Sequence, residues 1–179
     1  MSSNPTEILL DRRFLLSGTA SVLVAGCSQE PVRRSSQPSF YNNLAMAGAR
    51  VDAPMAAEMI SLYRRNNSRG MVVVDPILMR VAETQAAALA QADDVTPRSG
   101  PVGARLSAVG YPHRAAVETV SAGYLTLAEA FSGWRDSPPH RANMLNPTVT
   151  RLGIGTGFRP GSKYRVFWTL VLADSTRLG

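Results

Sequence analysis

Two histidines and one cysteine are the most reactive side chains this 179-residue chain has to offer, so each can be weighed singly. His140 lies in the stretch WRDSPPHRANMLNP, Trp134 to Pro147, between a double proline and Asn143. Ser137 followed by Pro138 has the form of an N-cap and a first helical residue, which puts His140 at the third helical position. There the positive end of the helix dipole disfavours protonation and predicts a neutral imidazole near pH 7. Such a ring can accept a proton or ligate a metal. The competing reading is a histidine that only packs or hydrogen-bonds locally. His113, after Gly110-Tyr111, reads as a surface residue.

Familiar catalytic devices are missing around these residues. Gly153-Ile154-Gly155-Thr156-Gly157 has the look of a phosphate loop, but it lies in a strand pattern and leads to a turn instead of a helix start. Its glycines suit twist or close packing. No serine stands in a Gly-x-Ser-x-Gly elbow.

Cys27 has a different reading. It closes DRRFLLSGTASVLVAGC, a charged start at Arg12 and Arg13 followed by an apolar run too short to span a bilayer. Val24-Ala25-Gly26-Cys27 resembles the bacterial lipobox, and Asp11 to Leu16 resembles the twin-arginine export motif. The expectation is a signal peptide over 1–26, then a lipidated N-terminus and flexible tether over 27–50. The protein would be exported and held on a membrane of the bacterial cell envelope, periplasmic or outer, by acyl chains on Cys27. A cysteine spent on an anchor is neither a nucleophile nor half of a disulfide.

The formal net charge is +6, carried by arginines with Lys163 the single lysine. Loss of 1–26 leaves it unchanged, because Arg12 and Arg13 balance Glu7 and Asp11. The arginines are scattered without a basic stripe or interleaved aromatics, which argues against nucleic acid and for general attraction to anionic surfaces.

The elements that must position His140 are legible from caps and periodicity. Asp52 heads a helix with Met55, Met59, Ile60, Leu62 and Tyr63 on its apolar face. Asp75-Pro76 opens an alanine-rich helix through Leu89. Residues 93–103 form a loop, and a short helix with Arg105-Leu106 stops at Gly110. Ala115–Val120 reads as a strand, and Thr126 with Glu129 as a capping box for the helix bearing Trp134. Strands over 151–158 and 164–172 close the chain. Helices flanking a small antiparallel sheet make an α+β layered domain over 51–175.

This order of features resembles the CAP superfamily of cysteine-rich secretory, antigen 5 and pathogenesis-related proteins, and most closely its bacterial SCP-like branch. The resemblance rests on Trp134, Ser137, His140 and Asn143, continuing through Met144-Leu145-Asn146-Pro147 and Leu152-Gly153-Ile154-Gly155. Tyr164 to Ala173 with Trp168 matches the last strand. It covers 52–174 and implies a three-layer α-β-α sandwich with an open cavity, Trp134 in the core and Asn143 bracing the turn.

Family members often line that cavity with two histidines and two acids that hold a divalent metal. By the same resemblance His140 matches the second histidine and Glu118 the glutamate of a Gly-Glu-Asn motif, here Val117-Glu118-Thr119. No histidine precedes Arg105, where Asp94 is the nearest polar residue. The second glutamate is missing, with Asp136 close to its place. One histidine among scattered carboxylates makes a poor zinc site. The sequence therefore leads to a binding module for a lipid, sterol or cell-wall ligand with a degenerate metal site and no resident cofactor. The alternative is a metal-assisted hydrolase using Glu118 as base and His140 beside it.

Overall fold

The computed structural model describes residues 37–97 and 99–174. Cys27, the twin-arginine segment and the first part of the expected tether, 27–36, lie outside these residues.

A single 3-10 turn, Ser39–Tyr41, precedes helix α1, Ala53–Asn66. The two-residue strand β1, Val73–Val74, leads into the long helix α2, Pro76–Ala92. Then follow α3, Val102–Ala108, and strand β2, Ala116–Ala122. Helices α4, Leu127–Asp136, and α5, Pro138–Met144, come before β3, Arg151–Phe158, and β4, Val166–Ala173.

Side-chain oxygens satisfy the free N–H groups at three helix starts. Asp52 accepts from Met55 N, Asp75 accepts from Ile77 N and Leu78 N, and Thr126 and Glu129 form the reciprocal capping box. Ser137 occupies the N-cap position of α5, but its side chain makes no capping bond; its carbonyl accepts from Arg141 N at 2.8 Å instead.

The four strands lie in the order β1-β3-β4-β2. The sheet is mixed, not antiparallel throughout: β1 runs parallel to β3, while β3 with β4 and β4 with β2 are antiparallel. Helix α2 lies within the crossover from β1 to β3, and a parallel pair needs such a crossover. The period of two along the strands builds the three layers. Leu152 and Ile154 of β3 and Val166, Trp168, Leu170 and Leu172 of β4 join the core with α1, α4 and α5. On the other face Phe167, Val171 and Ala173 meet α2 and α3.

The glycines of β3 explain how close α2 comes. A Cβ at Gly153 would land on the backbone of Leu78, at Gly155 on that of Ala82 and Glu83, and at Gly157 on that of Ala86. The Gly-x-Gly-x-Gly run is a bed for a helix, as close packing predicts.

Two features depart from the hydrophobic pattern. Leu62, assigned to the apolar face of α1, is exposed, while Ala56, Ala57, Ser61 and Arg64 are buried. Leu44 and Ala45 are also buried in the core, so the packed region includes residues whose composition reads as tether.

Candidate functional site

The site residues gather around β2, an edge strand whose alternation sends neighbours to opposite faces. Thr119 and Ser121 look toward α5 and α4. Asn143 Nδ2 of α5 donates to Thr119 Oγ1 at 3.2 Å and to the Glu118 carbonyl at 2.7 Å. Trp134 Nε1 of α4 donates to Ser121 Oγ at 2.9 Å. Trp134 is fully buried and meets Trp168 edge-on at 5.8 Å between ring centroids. Asn143 thus staples α5 to the strand, where the sequence suggests a brace within the turn.

Ala116, Val120 and Ala122 pack on the α2 and α3 side, and Glu118 shares their parity. Its carboxylate Oε1 accepts from Arg105 Nη2 of α3 at 2.6 Å. The pair is well shielded, with side-chain exposures of 13% for Arg105 and 11% for Glu118. An ionised hydrogen bond of this length in a low-dielectric setting holds both groups in place. The Arg105 Nε is buried without a partner.

His140 is half-buried, three residues before Asn143, and so on the same side of α5. Burial pushes its pKa below the ordinary value. The expected direction holds, but desolvation is the cause, and the dipole of a seven-residue helix is not needed to account for it. No hydrogen bond joins His140 to another of the described residues. No hydrogen bond joins the Glu118 carboxylate to His140 among the described residues: Oε1 accepts from Arg105, and α5 is bonded to β2 through Asn143.

The remaining candidates disperse. Asp94 accepts from the backbone N and hydroxyl of Thr96, both at 3.0 Å. Asp136 is exposed and bonded to the adjacent Arg135 guanidinium, which lowers its carboxyl pKa. His113 is half-buried, not at the surface: Nδ1 lies 2.9 Å from the Tyr111 carbonyl, and Nε2 lies against Gly103 of α3. Tyr111 itself bonds Asp75 through its hydroxyl, and burial followed by the Asp75 charge raises its pKa to about 12.

A divalent ion does not fit this donor set. Among the described residues no three His, Cys, Asp or Glu side chains come together. A guanidinium on Glu118 also places positive charge where the cation would sit.

A family model for CAP, the cysteine-rich secretory protein family, matches residues 57–172. The chain belongs to the CAP family. No curated protein matches it. Solved structures share the CAP fold at low identity. An outer surface protein from Borrelia burgdorferi superposes with a TM-score of 0.62 at 16% identity, covering 72% of this chain and 99% of that one. An extracellular protein containing an SCP domain from Bacillus anthracis gives 0.56 at 21%, covering 67% of this chain and 39% of the other. A cysteine-rich secretory protein from Staphylococcus aureus gives 0.56 at 14%, with 72% and 41% covered. The chain thus spans well under half the length of the latter two.

The sequence missed Arg105 as the partner of Glu118. It marks a short helix in the pattern, and its contact with a strand 13 residues on depends on tertiary folding. Arg64 was missed because an arginine between Tyr63 and Arg65 resembles a solvated face.

Proposed function

We propose that this CAP protein is a binding module of the cell envelope, exported and held on a membrane through lipid on Cys27, that takes an apolar or cell-wall ligand without turning it over. One observation carries the reading: the Glu118 carboxylate, the acid a CAP hydrolase would use, is bonded to Arg105. A general base must be free to reach its proton, and a metal ligand must offer its lone pairs to the metal. Oε1 of Glu118 is committed to the Arg105 guanidinium, a cation that competes with a proton or a metal for this carboxylate.

Concavities suited to ligands support the reading. A groove of about 900 Å³ lies between Leu44–Val51, α2 and the end of β3, with Met46, Met79 and Phe158 among its walls. A second, of about 500 Å³, lies between α2 and α3. Both fall in the size range of small-molecule sites. The extracellular and outer-surface descriptions of the Bacillus and Borrelia proteins agree with export. So does the lipobox-like sequence before Cys27.

Mass spectrometry of the native lipidated protein tests the proposal by identifying an apolar or cell-wall molecule that co-purifies with it. Peptidase and cell-wall hydrolysis assays, with and without chelator, test the opposite. Chelator-sensitive turnover lost in Glu118→Gln would establish the hydrolase in place of the binding module.

A further inference from the structure

The fold begins close to the proposed anchor. Gln37, the first described residue, stands ten positions after Cys27, a stretch that spans at most about 35 Å when fully extended. With acyl chains on Cys27, a surface beside residues 37–51 stays within reach of the bilayer.

That surface has an apolar tip. Residues 37–51 contain no acid, and their turn at Met46-Ala47-Gly48 is exposed, with Met46 54% exposed. Gly48 takes φ +77°, which lets the chain turn sharply without a polar side chain at the tip. Beside it sits the connection from β3 to β4. Arg165 Nη2 donates to the Ala45 carbonyl at 3.2 Å, and Arg159 and Pro160 line the same groove as Met46.

The charge around the tip is positive. Residues 159–165 carry Arg159, Lys163 and Arg165 and no acid. Two acids approach from α2 and its C-cap: Glu83 lies 3.5 Å from Arg50, and Asp93 lies 3.9 Å from Arg159. Lys163 and Arg165 are exposed and form no ion pair among the described residues. An apolar tip bordered by excess cations is what an anionic membrane surface attracts, through burial of the tip and through its headgroup charge.

We propose that the Met46–Gly48 tip and the β3–β4 connection form a membrane-facing surface, with Met46 entering the acyl boundary of an anionic bilayer and Lys163 and Arg165 meeting its phosphate headgroups. This rests on the reading that Cys27 carries the anchor, and it gives the anchored domain a fixed orientation.

The test places the native lipidated protein in phosphatidylcholine vesicles with and without phosphatidylglycerol, part of the lipid carrying brominated acyl chains that quench tryptophan. Trp134 and Trp168 are fully buried and give a constant background. Met46→Trp is expected to be quenched in the anionic vesicles, with a docked-to-free ratio at least about fivefold lower in phosphatidylcholine alone. Leu62→Trp and Val109→Trp, at exposed apolar positions outside this groove, stay unquenched. Adding Lys163→Glu to Met46→Trp lowers the docked-to-free ratio by about fivefold or more. Equal quenching at all three positions, or none at Met46→Trp while the protein stays on the vesicles, overturns the surface and leaves the anchor standing. Quenching of Met46→Trp that ignores both phosphatidylglycerol and Lys163→Glu overturns the role of charge. Mass spectrometry that finds no acyl group on Cys27 overturns the anchor instead, and the orientation with it.

Discussion

Glu118 and Arg105 behave as a unit. Removing the cation leaves a carboxylate that is nearly nine-tenths shielded with nothing to balance it. Arg105→Met should therefore destabilise the protein by about 2–3 kcal/mol, somewhat less than a wholly buried pair because both groups keep some water. Combining it with Glu118→Leu should restore most of that loss, since no stranded charge remains. Urea unfolding of the two single variants and the double variant measures the coupling directly. Additive losses would show that the ion pair is incidental.

His140 makes a prediction of its own through pH. Burial holds its folded pKa below the ordinary 6.5. Between those two values the unfolded chain takes up a proton that the native ring refuses, so stability rises with pH across that window. It is flat in this respect above about 6.5 and again below the folded value. Thermal midpoints across that range should climb less steeply in His140→Gln than in the parent protein. Parallel curves would mean that the ring is solvated in both states.

At the scale of elements, Arg64 carries more than its place in a helical pattern suggests. It is fully buried on α1, and its guanidinium donates to the carbonyls of Gly70, Met144, Asn146 and Val149 at 2.6–3.0 Å. These carbonyls belong to the turn after α1 and to the end of α5 and its exit loop, so one side chain holds α1, α5 and the approach to β3 together. Desolvation lowers its pKa, followed by the like charge of Arg69. Arg64→Met keeps volume but strands those carbonyls and should cost at least about 3 kcal/mol in chemical unfolding. Arg64→Lys should recover only a part of this, because a compact ammonium cannot reach the same fork of acceptors.

The seam between α2 and β3 is equally exacting. Gly155→Ala would drive a methyl into the backbone of Ala82 and Glu83. An overpacked core of this kind costs about 1–3 kcal/mol. Gly161 faces open space, so Gly161→Ala serves as the control in the same thermal melts.

At the scale of the whole molecule, the fold was legible because local signals agree with it. Asp52, Asp75 and Thr126 announce their helices, the alternation of β3 and β4 separates two packed faces, and the Trp134–Asn143 stretch resembles one family. What stayed hidden depends on distance in sequence. The parallel pairing of β1 with β3 joins two residues to a strand nearly eighty positions away. Arg64 reads as surface because hydrophobic periodicity has no term for an arginine solvated by carbonyls. The sequence points to β2 and α5, but nothing in Val117-Glu118-Thr119 reveals that the carboxylate turns to α3 while Asn143 grips the same residue's carbonyl from α5.

With Oε1 of Glu118 bonded to Arg105, the proposed binding module offers no zinc site beside His140. Calorimetric titration of the full chain with zinc tests it most directly. No saturable binding dependent on these residues is expected up to about 100 µM zinc. A dissociation constant on the order of 1 µM, lost in both His140→Ala and Glu118→Gln, would contradict it.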